Sequence, residues 1–90
     1  MRAAKVDANQ PEIVAALRKI GATVQHLHTV GCGCPDILVG YRGENYLLEI
    51  KTEKGKLTPP EGRFFADWEG QVSIVRSVKG AISRIGVILV

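Results

Sequence analysis

Glu49 and Lys51 stand two residues apart in Asn45-Tyr46-Leu47-Leu48-Glu49-Ile50-Lys51, a stretch otherwise suited to a pleated, half-buried strand. A period of two sets both charges on one face with Leu47. Such a pair is either the wet side of an amphipathic strand or part of a site. The preceding hairpin bears on the choice. With its turn centred on Gly43, facing indices sum to about 86, which sets Asp36 opposite the segment 49–51. Facing side chains on one side of a ladder lie ~4.5–5.5 Å apart at Cβ. Two carboxylates at that separation, with carbonyl oxygens nearby, form a hard-oxygen site for Mg²⁺ or Mn²⁺. A lysine beside them could orient or deprotonate a water, or stabilise charge developing on a phosphate. Leu47 on the shared face, and the apolar strand after Asp36, favour the site over the wet face.

The elements that must position these groups follow from periodicity. Asn9 is expected to cap a first helix, with Pro11 in its first turn and Glu12 completing a capping box. Ile13, Val14, Ala16, Leu17 and Ile20 make its apolar stripe, and Gly21 closes it. Strands are expected over 23–30, 36–41 and 45–51. The Gly31-Cys32-Gly33-Cys34-Pro35 stretch between the first two cannot be regular ladder throughout. Thr58-Pro59-Pro60-Glu61 reads as a second capping box, opening a helix that ends near Gly70. A strand over 71–76 follows, and then a helix that Ser77 caps and Gly86 closes. The apolar run 87–90 comes last. The order is α-β-β-β-α-β-α, an α/β domain with a mixed sheet flanked by helices. Residues 1–8 read as a frayed lead-in.

Ninety residues at 46% hydrophobic and 23% charged suit one small globular domain spanning 1–90, and exclude a disordered chain. The net charge of +3 and pI of about 9.1 permit a polyanionic partner without establishing one. Cys32 and Cys34 are too close for a bridge between them to stabilise much, so reduced thiols and a cytoplasmic location are expected. No apolar run approaches the ~20 residues of a membrane span, and the first residues lack the core of a secretory signal.

Pro35-Asp36, an intervening hairpin and Glu49-Ile50-Lys51 resemble the signature of the PD-(D/E)xK nucleases. Asn9-Gln10-Pro11-Glu12, Gly33-Cys34-Pro35-Asp36, Leu48-Glu49-Ile50-Lys51, Leu57-Thr58-Pro59-Pro60-Glu61 and the Phe64…Trp68 pair together resemble the VRR-NUC branch. The likeness is to its small stand-alone phage and prophage form, and it covers nearly the whole chain. The resemblance implies a restriction-endonuclease-like core. It also implies Asp36, Glu49 and the Ile50 carbonyl as metal ligands, Lys51 as catalytic lysine, and Glu12 reaching the metal, often through water. The activity implied is a Mg²⁺- or Mn²⁺-dependent endonuclease acting as a homodimer on branched DNA, such as a four-way (Holliday) junction. Spare strand edges and the run 87–90 are candidate dimer surfaces. One departure stands out: the family often has Gln where this chain has Glu61. A carboxylate there would repel phosphate, so Glu61 is expected to cap its helix rather than touch DNA.

Lys54, Lys56 and Arg63 follow the charged strand and could grip phosphates on either side of a scissile bond; Arg42 and Arg76 are weaker candidates. His26, His28, Cys32 and Cys34 crowd too closely for a tetrahedral zinc site. A histidine assisting water or phosphate is the better use of that pair. Phe64, Phe65 and Trp68 could stack on bases, but their helical spacing points to core, with Phe65 the most exposed. The rival function is a non-catalytic nucleic-acid-binding or interaction module on a nuclease fold.

Overall fold

The computed structural model describes residues 8–87. Along the chain lie α1 (Gln10–Lys19), β1 (Thr23–His26), β2 (Ile37–Tyr41), β3 (Glu44–Ile50), α2 (Pro59–Asp67), β4 (Ser73–Val75) and α3 (Val78–Arg84). The four strands form one sheet in the order β1-β2-β3-β4, antiparallel except for the parallel β3–β4 pair. Element order and the mixed sheet are those expected. The terminal residues of the expected lead-in and of the apolar run, 1–7 and 88–90, lie outside the described residues, whereas Val87 packs against the core.

Strand alternation decides which face is which. Ile37 and Val39 on β2 and Leu48 and Ile50 on β3 point to one side, where Ile13, Val14 and Leu17 of α1 and Ala81 and Ile82 of α3 cover them. On the other side Leu38 and Leu47 are only half-buried. That second face carries Asp36 and Glu49.

The hairpin between β2 and β3 is one residue tighter than a Gly43-centred turn. Tyr41 pairs with Glu44, and Arg42 and Gly43 both take positive φ (50° and 81°), the signature of a two-residue type I′ turn. The register Ile37↔Leu48 then sets Asp36 against Glu49 itself.

β1 is shorter than expected. His26 pairs with Ile37, and the Leu27 amide donates to the Asp36 carbonyl at 2.8 Å, but the next residue along the partner is Pro35, which has no N–H to donate. The chain turns at once (Val30 N to Leu27 O, 2.9 Å), then runs through positive φ at Gly31, Cys32 and Gly33. His28 therefore leaves the strand face that it was expected to share with His26.

Asn9 does not cap α1: its backbone is helical and its side chain makes no cap bond. Its Nδ2 donates instead to the Lys51 and Arg76 carbonyls, at 3.1 and 3.3 Å, where β3 and β4 have run out of ladder. The Oδ1 that a cap would use is left buried without a partner, and the expected box with Glu12 is lost. Thr58 does form its capping box with Glu61, and Ser77 Oγ accepts from the Gly80 amide at 2.9 Å. The helix after Thr58 ends at Asp67, short of Gly70, and buries no residue completely. Phe64 and Phe65 are half-buried and Trp68 is 45% exposed, so the aromatic set is not core and Trp68, not Phe65, is its open member.

Arg76 has a structural task rather than the phosphate contact considered for it. Its Nη1 donates to the carbonyls of Thr52 and Gly55, both at 2.7 Å, and of Glu53 at 3.2 Å, clasping the loop after β3. Arg76→Ala is expected to free that loop. Amide exchange at 53–56 should quicken while the sheet stays protected, with a stability loss of about 1–2 kcal/mol. Unchanged exchange there would show that the clasp does not hold the loop.

Candidate active site

A cleft of about 470 Å³ opens where the end of β3, the start of β2, the loop 28–34 and the N-terminus of α2 meet. Asp36, Glu49 and Lys51 all line it, as does Glu61. Asp36 Oδ2 accepts the Ile50 amide at 2.7 Å, so the β3 backbone fixes the carboxylate position. Glu49 is 2% exposed; its Oε2 lies 3.2 Å from Lys51 Nζ, while its buried Oε1 has no hydrogen-bond partner. Lys51 Nζ also donates to Glu61 Oε1 at 2.8 Å, and that oxygen accepts the Thr58 amide at 2.8 Å. The helix cap and the ammonium are thus tied through one carboxylate.

The electrostatics follow from this packing. Burial, then the charge of Asp36 and a hydrogen bond with it, then the charge of Glu61, push the Glu49 carboxyl up to about 8; Lys51 pulls the other way and loses. For Lys51, partial burial opposes the charged form, but Glu61 and Glu49 outweigh it and the pKa is raised. For Glu61, burial is outweighed by Lys51 and by the Thr58 amide, and its pKa is lowered. Burial, with the charges of Glu49 and Asp36, raises the Cys34 thiol. At neutral pH the Asp36–Glu49 pair thus keeps a proton between two carboxylates, with a buried acceptor left over. A divalent cation fits that arrangement, taking the place of the proton. The donors that would hold it are Asp36, Glu49 and the Ile50 carbonyl. Among the described residues no three His, Cys, Asp or Glu side chains form a ligand set of their own.

Glu12, Lys54, Lys56 and Arg63 lie outside the lining of the cleft. Glu12 is exposed on the first turn of α1 and does not line the cleft. The buried polar residue of that helix is Gln10, whose Nε2 lies 3.4 Å from His26 Nδ1. Lys54 and Lys56 are exposed on the loop clasped by Arg76. Arg63 lines a neighbouring depression rather than the cleft. His28 lines the cleft, with its Nδ1 buried and without a hydrogen-bond partner, whereas His26 does not line it. Cys32 is exposed and Cys34 half-buried, both as free thiols. Glu61 is the residue that sequence reasoning placed outside the site. Its only local signal was the spacing to Thr58, which announces a cap and says nothing of Lys51.

Among solved structures the chain is similar to a VRR_NUC domain, with a TM-score of 0.64 and 28% identity over 84% of this chain and 88% of that one. No family model and no curated protein matches it. The α/β architecture and the resemblance read from the motifs agree with this neighbour, and the fold is that of a VRR-NUC nuclease domain. No helix among the described residues is long and apolar enough to cross a membrane.

Proposed function

From this nuclease fold we propose a metal-dependent endonuclease that hydrolyses phosphodiester bonds in DNA. The observation that carries the reading is the buried Glu49 carboxyl facing Asp36 in an open cleft, with the Lys51 ammonium tethered next to it. A carboxylate buried at such a cost, in a hydrophobic strand, fits a cation-binding role better than a structural one. Asp36, Glu49 and the Ile50 carbonyl would hold Mg²⁺ or Mn²⁺, which when bound supplies charge neutralisation at the phosphate and an acidified water. Lys51 Nζ, 2.8 Å from Glu61 and 3.2 Å from Glu49, is placed to orient water or to stabilise charge on the phosphate. The exposed Lys54 and Lys56 hold backbone phosphates near the cleft, and Arg63 does so from α2.

A domain this small has little surface for reading bases, so the substrate is recognised by shape. Branched DNA is the expected class, four-way junctions among it, and a homodimer would present the two sites that a junction needs. Reduced Cys32 and Cys34 fit a cytoplasmic setting.

The test compares four-way junction, flap, single-stranded and linear duplex DNA with Mg²⁺ or Mn²⁺. The wild type should cut the branched substrates. Lys51→Ala should lose about 10²–10³-fold in rate, and Asp36→Asn should lose cleavage while keeping an acceptor for the Ile50 amide. If the wild type leaves all four intact, the chain is a binding module and the enzyme reading fails. Sedimentation showing only monomer would remove the dimer.

A further inference from the structure

The chain's single tryptophan lies next to the cleft, in a position that the core does not explain. Trp68 is 45% exposed at the C-terminal end of α2, a helix that buries no residue completely. It is nevertheless held: its amide donates to the Phe64 carbonyl at 2.9 Å, and the two rings stack at 5.0 Å between centroids and 17° between planes. Gly70 packs so closely on the indole that a Cβ there would fall 2.8 Å from Nε1. Trp68 is thus fixed, with one ring face taken up by Phe64 and the rest of the indole partly open. Together with Phe64 and Arg63 it lines a depression of about 510 Å³, of which Cys32 and Pro60 also line the active cleft. The two hollows thus adjoin at those two residues.

We propose that Phe64 and Trp68 form a stacking site for one unpaired nucleobase of the strand that lies in the active cleft. The proposal rests on the nucleic-acid reading of that cleft. A strand leaving the cleft over Pro60 and Cys32 reaches this platform next, with the Arg63 guanidinium available to the adjoining phosphate. Stacking needs a base free of its duplex neighbours, because a paired base offers no open face. Asp67, which also lines the hollow, discourages a second phosphate there while leaving room for a base edge. The platform thereby narrows the substrate to DNA with a single-stranded or splayed segment at the cut, as at a flap or an opened branch point.

The test uses the indole itself as probe, in chelator so that nothing is cut. Oligothymidylate should quench the fluorescence of Trp68, and a blunt duplex of the same length should not. Trp68→Ala should bind the single strand about tenfold more weakly, with Trp68→Phe intermediate, since base–aromatic stacking contributes on that scale. With metal, Trp68→Ala should raise KM on a flap and leave kcat unchanged. Far-UV circular dichroism checks that each variant is folded. Binding of the single strand without quenching, failure to bind it at all, or an unaltered affinity in Trp68→Ala would overturn the proposal. So would quenching that follows protein concentration without DNA, which would give the surface to a second copy of the chain. Failure of the nuclease reading looks different: wild type that cuts nothing with metal, whatever Trp68 reports. Cleavage that persists in Trp68→Ala with an unchanged KM sinks the platform alone.

Discussion

Glu49→Gln is expected to make the metal-free protein more stable in alkaline solution and to abolish cleavage. The Glu49 carboxyl is raised from an ordinary 4.5 to about 8 in the folded chain. The folded state therefore holds this proton more tightly than the unfolded one. The stability that the proton contributes is fully present below about pH 4.5 and is lost as the pH rises through 8. Glutamine cannot titrate and keeps a hydrogen-bonding group in the same volume. In chelator the two proteins should unfold alike near pH 5. Above pH 8 the variant should gain about 1–3 kcal/mol, the usual cost of a buried group left unsatisfied. The lost 3.2 Å contact with Lys51 offsets some of this, although Lys51 keeps its 2.8 Å bond to Glu61. Added Mg²⁺ or Mn²⁺ should reverse the order, stabilising the wild type and not the variant, while cleavage falls by at least ~10²-fold. Denaturant titrations at the two pH values, with and without metal, check each limb. A variant less stable at every pH would mean that Glu49 serves the fold through Lys51, and the cation site would fall.

Much of this arrangement is legible before any coordinates, because the groups that matter are joined by local rules. The stripe Ile13, Val14, Leu17 makes α1, alternation makes β2 and β3, and a short turn brings Asp36 against Glu49 to within one residue of the expected register. Where reading fails, a distant partner has outbid a near one. Asn9 looks like a cap to its own helix, yet the free carbonyls of Lys51 and Arg76 claim its amide. Glu61 looks like a cap and is one, but the docking of α2 also hands its carboxylate to Lys51. The spacing of Phe64 and Trp68 promises a core, yet α2 buries no residue completely. Each miss concerns how an element docks, and docking leaves little trace in periodicity.

That dependence on docking makes Gly33→Ala a severe change, although it touches no charged residue. Gly33 has φ of 78°, and a Cβ built on it would collide with the Pro60 carbonyl and lie 2.9 Å from the Glu61 amide. All of these are backbone atoms at the start of α2, so no side chain can swing aside. Either the loop 31–34 or the helix N-terminus must retreat. If the helix retreats it takes Glu61 with it, and with Glu61 the anchor that holds the Lys51 ammonium in the cleft. Strain at the left-handed position together with overpacking should cost about 2–4 kcal/mol. Gly31→Ala is the matched control: its φ is 80°, but nothing lies within 4 Å of its Cβ. That variant should lose only about 1 kcal/mol, from backbone strain alone, and keep its activity. The difference between the two, read from denaturant unfolding and from cleavage rate under saturating metal, isolates the contact between loop and helix. Equal losses in both variants would show that the left-handed backbone alone matters, and that Lys51 does not depend on where α2 sits. A larger loss in Gly33→Ala, with cleavage falling more than the folded fraction, would place the close approach of Gly33 to Pro60 among the determinants of catalysis.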